Sequence, residues 1–114
     1  MIDIKSLIEE EIKVIRIVGE VDASSSIELD TELQKAIGGG DKKIIVDCSN
    51  LNYISSAGLG VFMSYIQDIN ANGITMVICG LNEKVQNVFE ILGLTQLMQI
   101  ETSLEQAKKF VNGV

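Results

Sequence analysis

The chain has 114 residues, 46% of them hydrophobic and only 4% aromatic, which is enough apolar material for one aliphatic core and excludes a disordered chain. Sixteen acidic and nine basic residues give a formal net charge of −7, which would repel a phosphate backbone and excludes nucleic acid as a partner. Such acidity either keeps a protein soluble or suits a partner with a basic face.

The first half of the chain predicts two strands, a helix and a third strand. MIDIKSLI and IKVIRIVGEVD are strand-like runs on either side of a polar turn at residues 9–11. In the helix that follows, apolar residues recur near helical spacing at Ile27, Leu29, Leu33, Ala36 and Ile37. Ser25 and Glu28 have the spacing of a capping box, and the glycines at 38–40 end the helix. KKIIVDCS is a short β-branched strand.

The second half alternates helices and strands. A helical stripe consists of Leu59, Phe62, Met63, Ile66 and Ile69. ITMVICGL is a buried strand, and NEKVQNVFEILG is a helix whose inward residues are predicted to be Val85, Val88, Phe89 and Leu92. LMQI is a short strand. Ser103 and Gln106 have the spacing of a capping box for a last helix through Val111.

The predicted order β-β-α-β-α-β-α-β-α indicates an α/β fold with a mixed, mostly parallel sheet covered by helices. We expect one domain over residues 1–114. In open α/β sheets, functional groups gather in loops beyond the carboxyl ends of the strands. The segment NYISSAGLG, residues 52–60, connects a strand to a helix in this way and is the first candidate for a functional site.

The sequence also argues against a metal site, a membrane-spanning helix and a signal peptide. Cys48 and Cys79 both fall in strand-like runs and read as buried thiols, and the absence of His and of CxxC argues against a metal site. No apolar run approaches the ~20 residues of a membrane helix. The amino terminus lacks the basic start and apolar centre of a signal peptide. We therefore expect a cytoplasmic protein without cofactors.

Two serines begin the predicted helix of the NYISSAGLG segment. Ser55 or Ser56 is well placed as an N-cap, and Gly58 and Gly60 let another chain approach the backbone closely. A nucleophilic serine needs a base, usually His, and the sequence has none; a Ser-Lys pair is the open alternative, although no local spacing supports one. SSAGLG does not match G-x-S-x-G, and no GxxxxGK[ST] loop is present. The remaining alternative to plain capping is a serine that accepts a phosphate, which a helix amino terminus tolerates.

Two motifs resemble the STAS domain of the bacterial anti-sigma factor antagonist family. GEVD, residues 19–22, is similar to a turn after the family's second strand. DCSNLNYISSAGLGVF, residues 47–62, is similar to the family's signature, and the element order fits over nearly the whole chain. The resemblance implies a regulatory binding protein that is not an enzyme.

The resemblance also implies a partner-switching cycle. The antagonist binds an anti-sigma factor that is a serine kinase, which releases a sigma factor. The kinase uses Mg-ATP to phosphorylate the antagonist, and a PP2C-type phosphatase resets it. Aligned on the motif, the acceptor is Ser56, with Ser55 in place of a frequent Asp and Ala57 in place of a second Ser or Thr. The implied partner surface comprises Asp22, Ser24, Ser55, Ala57, Gly58 and Leu59, with Asp22 beside Ser56 and Leu59 shared with the core.

Some alternatives stay open at this point. Ser55 is a second candidate for the phosphate, and Asp22 is also a candidate cap for the turn into the first helix. Single STAS domains also resemble accessory subunits of membrane lipid transporters and of signalling assemblies. The sequence names no sigma factor, kinase, stimulus or oligomeric state.

Overall fold

The computed structural model describes residues 2–113 and contains a five-stranded sheet with helices on both faces. The strands are β1 (Ile2–Glu9), β2 (Ile12–Val21), β3 (Lys43–Ile54), β4 (Thr75–Cys79) and β5 (Gln99–Glu101). The helices are α1 (Ser26–Gly38), α2 (Ser56–Ala71), α3 (Glu83–Ile91), α4 (Leu94–Leu97) and α5 (Leu104–Val111). Met1, predicted to open the first strand, lies outside the described residues.

The strands lie side by side in chain order, β1 to β5. β1 pairs antiparallel with β2, and the other three pairs are parallel, which confirms the predicted mixed and mostly parallel sheet. Parallel neighbours place their carboxyl ends at one edge of the sheet. The loops that follow β2, β3, β4 and β5 therefore share that edge.

Two apolar layers hold the sheet between the helices. Helices α1 to α4 cover one face, where the ring centroids of Phe62 on α2 and Phe89 on α3 lie 6.0 Å apart. Helix α5 covers the other face, where Ala107 and Val111 pack against strand residues such as Val14. Full burial of one such side chain contributes about 1.5–3 kcal/mol, so each layer stabilises the sheet substantially.

Two elements differ from the expectation. β3 continues past the predicted end at Ser49 to Ile54, because β2 remains its partner across two irregularities in the register. A four-residue helix, α4, precedes the last strand and was not predicted. Gly93, with φ of 76°, ends α3 in a left-handed conformation that glycine adopts without strain and redirects the chain into α4.

Three apolar residues expected to face inward are exposed: Ile27, Met63 and Leu92. Helix α1 is buried along the stripe through Leu29, Leu33 and Ala36, and Ile27 precedes that stripe on another side of the first turn. The prediction for Ile27 is therefore wrong, and 68% of this side chain is exposed. Met63 and Leu92 lie outside the buried stripes of α2 and α3 in the same way.

The hairpin between β1 and β2 turns at Glu10 and Glu11, which both have positive φ, 52° and 68°. Two-residue hairpin turns with positive φ at both positions favour Asn and Gly. The turn lies at the amino end of β2, whereas the candidate site follows the carboxyl end of that strand at Val21.

Cys48 and Cys79 are free and buried, as predicted. Burial raises the pKa of Cys79 to about 12 and raises the pKa of Cys48 further above its ordinary range. Both thiols are therefore protonated at neutral pH and act as small apolar residues.

Candidate functional site

The ends of β2 and β3 fix the two motif segments next to each other. Val21 is paired with Ile54 in the parallel register, so Asp22 and Ser55 are the first residues beyond two adjacent strand ends. The backbone amide of Ser55 donates to the carbonyl oxygen of Val21 at 2.7 Å. The segment containing Asp22 and the segment containing Ser56 thus form one surface at the carboxyl edge of the sheet.

Ser55 is the N-cap of α2. Its backbone is extended, and its Oγ accepts a hydrogen bond from the amide of Gly58 at 3.2 Å. Its carbonyl oxygen accepts from the amide of Leu59 at 3.0 Å. Of the two serines predicted as candidate caps, Ser55 performs this role, so its half-buried hydroxyl is already engaged.

Ser56 is the first residue of α2, and its side chain is exposed. Across residues 2–113, no other group forms a hydrogen bond with its hydroxyl. Ala57 beside it is exposed as well, and the first turn of α2 carries no acidic residue. The hydroxyl therefore projects from a helix start whose amides and dipole favour a negative group.

Asp22 forms a closed turn before α1. Its Oδ1 accepts from the amides of Ser24 (3.1 Å) and Ser25 (2.8 Å) and from both serine hydroxyls (3.0 and 2.9 Å). The hydrogen bond from the Ser25 amide is the largest of the causes that lower the pKa of Asp22 to about 2. The exposed carboxylate is thus charged at every physiological pH, next to the loop that carries Ser56.

This turn also corrects the predicted capping box. Ser25 occupies the N-cap position of α1, but its hydroxyl makes no cap hydrogen bond to the helix. It instead accepts from the amide of Asp22 at 2.9 Å and lies 3.2 Å from the carbonyl oxygen of Glu20. Asp22 accepts the hydrogen bond from the Ser25 amide that Glu28 was predicted to accept, because its carboxylate is the stronger acceptor, and the Glu28 amide donates to the carbonyl oxygen of Ser25 at 3.0 Å.

Gly58 and Leu59 belong to the core. A Cβ atom on Gly58 would lie 2.7 Å from a methyl carbon of Val21 and 2.8 Å from Cγ1 of Ile54, so the glycine allows α2 to pack onto the strand ends. Leu59 is 0% exposed, and the prediction that its side chain is shared between core and partner surface is corrected to the core alone. Gly60, by contrast, faces open space.

Asp47 supports this edge and was not singled out from the sequence. Only 5% of it is exposed, and its carboxylate accepts from Arg16 Nε at 3.1 Å, from the Ser49 amide at 3.1 Å and from Ser49 Oγ at 2.6 Å. Burial raises its pKa, but the Ser49 hydrogen bonds and Arg16 outweigh burial and hold it below the ordinary value. A charged residue inside the apolar run IIVDCS was the available signal for this network.

Two further kinds of site were sought among the described residues, a metal centre and a membrane-spanning helix. Within residues 2–113, His, Cys, Asp and Glu side chains form no group of three or more that would hold a metal ion. In the same part of the chain, every helix is too short or too polar to cross a lipid bilayer.

Comparisons with known proteins agree with this architecture. The family model for the STAS domain matches residues 3–107. The anti-sigma-B factor antagonist of Staphylococcus aureus is 28% identical over 104 residues, which are 91% of this chain and 96% of that protein. The crystal structure of an anti-sigma factor antagonist from Mycobacterium paratuberculosis matches with a TM-score of 0.91 and 14% identity, covering 98% of this chain and 95% of its own. The phosphorylated form of the Bacillus cell fate determinant SpoIIAA has a TM-score of 0.71 and 23% identity, covering 97% and 99%.

Proposed function

The chain belongs to the STAS domain family, and from this premise we propose that it is an anti-sigma factor antagonist switched off by phosphorylation of Ser56. In its unmodified form it binds a serine-kinase anti-sigma factor in the cytoplasm, and a sigma factor is released. The kinase then phosphorylates Ser56 from Mg-ATP, and the complex separates. A PP2C-type phosphatase removes the phosphate. In this cycle the protein is a ligand and a substrate, not a catalyst.

The observation that carries the proposal is the division of roles between two adjacent serines. Ser55 holds the start of α2 through its hydroxyl, whereas the hydroxyl of Ser56 is exposed and has no intramolecular partner among the described residues. A kinase needs an accessible acceptor hydroxyl that makes no hydrogen bond on which the stability of the fold depends. Ser56 meets that requirement, and Ser55 does not, because its phosphorylation would disturb the cap of α2.

The effect of the phosphate follows from charge. A phosphoryl group adds about −1.5 to −2 charges at neutral pH, and the start of α2 tolerates this addition through its free amides and dipole. The fold therefore survives while the surface changes. The exposed carboxylate of Asp22 already makes this edge negative, and a partner that packs closely on a neutral Ser56 loses that contact.

The surface that we propose for the kinase comprises the exposed residues Asp22, Ser24, Ser56 and Ala57, with half-buried Ser55 at its centre. Gly58 and Leu59 lie beneath it and fix the helix on which it is built. Part of the binding energy then comes from close packing at Ala57, where no polar group interrupts the surface.

The experiment that tests the proposal is phosphorylation by a purified candidate anti-sigma factor kinase with Mg-ATP. Intact mass followed by fragmentation locates the phosphate. We expect one phosphate on Ser56, none on Ser56→Ala, and full modification of Ser55→Ala. Binding of the kinase should persist for Ser56→Ala and be lost for Ser56→Asp. Equal kinase binding by the wild type, Ser56→Ala and Ser56→Asp would overturn the switch.

The same measurement separates the alternatives. Phosphate on Ser55 keeps the mechanism and moves its acceptor by one residue. If the protein from its native cells carries no phosphate in any growth condition and co-purifies with a membrane ATPase, it is an accessory subunit of a transporter instead. Turnover of a substrate that disappears in Ser56→Ala would show an enzyme.

A further inference from the structure

A groove runs along the first strand on the side of α1. Two hollows of about 210 and 410 Å³ lie end to end there and share Glu28 in their lining. Ile4 and Ile27 line the first hollow, and Ile2 and Asp22 line the second. The groove therefore ends at Asp22, the residue that begins the surface proposed for the kinase.

One wall of the groove is an edge strand. β1 pairs with β2 on one side only, and no other strand among residues 2–113 borders it. Ile2 and Ile4 pack toward α1, and by the alternation of a strand Ile8 points to the same face, where 58% of it is exposed. An edge with unpaired amides and an apolar face is a template for another strand.

The charge on the lining is of one sign. The acidic residues are Asp22, Glu28 and Glu32, and the lining contains no basic side chain. Glu32 accepts from the Ser6 hydroxyl and lies 3.7 Å from Lys35 Nζ, which partly offsets its charge, whereas Glu28 has no ion-pair partner in residues 2–113. A second copy of this chain would bring the same carboxylates and a net charge of −7 against them. Charge complementarity therefore favours a cationic occupant.

We propose that the β1–α1 groove binds an extended segment of the protein partner, which pairs as a sixth strand with β1 and carries both apolar and basic residues on the face that it turns toward α1. Main-chain hydrogen bonds to the open edge supply affinity, and the side chains over Ile4, Ile27 and Glu28 supply selectivity. The identification of the partner as the anti-sigma factor rests on the proposed function. The groove extends that partner's contact from Ser56, at the carboxyl ends of the strands, to the open side of β1.

Nuclear magnetic resonance of the labelled full chain tests the groove directly. The probe is a short synthetic peptide in which lysine and valine alternate with threonine, and its counterpart has glutamate in place of lysine. We expect the lysine peptide to shift the amides of β1 and of residues 27–32, and to slow hydrogen exchange at alternate amides of β1 that the free protein leaves unpaired. The glutamate peptide should produce neither change.

Matched variants separate the groove from general acidity. Glu28→Lys should weaken binding of the lysine peptide roughly tenfold, as expected for a like charge facing the ligand. Glu105→Lys makes the same charge change on α5, at the other face of the sheet, and should leave binding unchanged. Ile27→Ala should weaken it severalfold, whereas Ile91→Ala, at a side chain that is 82% exposed on α3, should not.

Three outcomes would overturn the proposal: shifts spread over all acidic surfaces, shifts at another face, or unchanged exchange of the β1 amides. Binding of the kinase to the wild type and to Glu28→Lys then distinguishes this proposal from the proposed function. A kinase that binds wild type and Glu28→Lys equally leaves the function intact and removes the groove from the interface. A kinase that binds neither protein contradicts the function, while the peptide result still decides whether the groove takes a strand.

Discussion

The amide of Ser55 donates to the carbonyl oxygen of Val21 at 2.7 Å, where two parallel strands end side by side. This bond extends the pairing of β2 and β3 by one residue and places the start of α2 against the turn of Asp22. The relative position of Asp22 and Ser56 is therefore set by the sheet itself. Exposed loops are the more variable parts of a fold, and this one is held by the paired ends of β2 and β3.

Ser55 and Ser56 should differ in their contributions to stability. Ser55→Ala removes the cap to the Gly58 amide and should lower the free energy of unfolding by about 1 kcal/mol. Ser56→Ala removes a hydroxyl without a partner and should change that free energy by less than about 0.5 kcal/mol. Urea unfolding of both variants measures the difference. Equal losses would show that the cap is shared between the two hydroxyls.

Gly58 and Gly60 should respond in opposite directions to alanine. Both lie in α2, where alanine is favoured over glycine by about 1 kcal/mol. At Gly60 the new methyl meets open space, so Gly60→Ala should raise the melting temperature. At Gly58 the methyl would contact Val21 and Ile54 below 3 Å, and overpacking should lower stability by about 1–3 kcal/mol. Calorimetry of both variants checks this, and a stable Gly58→Ala would mean that α2 shifts freely on the strand ends.

Asp22 should titrate far below an ordinary aspartate. Its folded pKa is about 2 against an ordinary 3.8, so its charged form favours the fold. The contribution is complete above the unfolded pKa and is lost as pH falls through 2. The chemical shift of its carboxyl carbon should follow this midpoint, and Ser25→Ala should raise it, since one hydroxyl donor is lost. A midpoint near 4 in wild type would mean that the turn is open in solution.

Asp47 should matter for stability more than an exposed carboxylate does. Asp47→Asn removes the charge that accepts from Arg16 and Ser49, and we expect a loss of about 1–3 kcal/mol. Because the folded pKa of Asp47 is lowered, its contribution is present at neutral pH and declines as pH falls below the ordinary 3.8. Unfolding measured against pH should therefore be flatter below that value for Asp47→Asn. Asp68→Asn, on the exposed side of α2, is the control.

The elements were largely predictable because their signals are local. Alternating and helical apolar spacing identified all five strands and four of the helices, and Ser103 does cap α5, with Oγ accepting from the Gln106 amide at 3.2 Å. The short helix α4 was not predicted because it depends on the left-handed backbone conformation of Gly93, which sets the direction of the chain after α3. The inward prediction for Ile27 failed because burial depends on which side of α1 meets the sheet.

The sequence was sufficient to choose the segment of the candidate site, but not to assign a structural role to each of its side chains. Ser56 as the phosphate acceptor stays a prediction. Either of the two adjacent serines could have been the cap of α2 on local sequence alone, and the extended backbone of Ser55 identifies it as the cap. Glycine at position 58 suggested closeness to another chain, whereas its close neighbours are Val21 and Ile54 of the same chain. Asp47 and its partner Arg16 are 31 positions apart, a distance that no local pattern spans.

The hairpin turn at Glu10 and Glu11, where both residues have positive φ, is a position at which the protein can be stabilised by substitution. Each of these non-glycine residues carries a conformational cost of roughly 1 kcal/mol that Asn and Gly largely avoid. The turn lies at the opposite end of β2 from Val21, roughly 30 Å away at the rise of a ten-residue strand. A thermostabilised laboratory form with Glu10→Asn and Glu11→Gly would thus leave the surface proposed for the kinase unaltered.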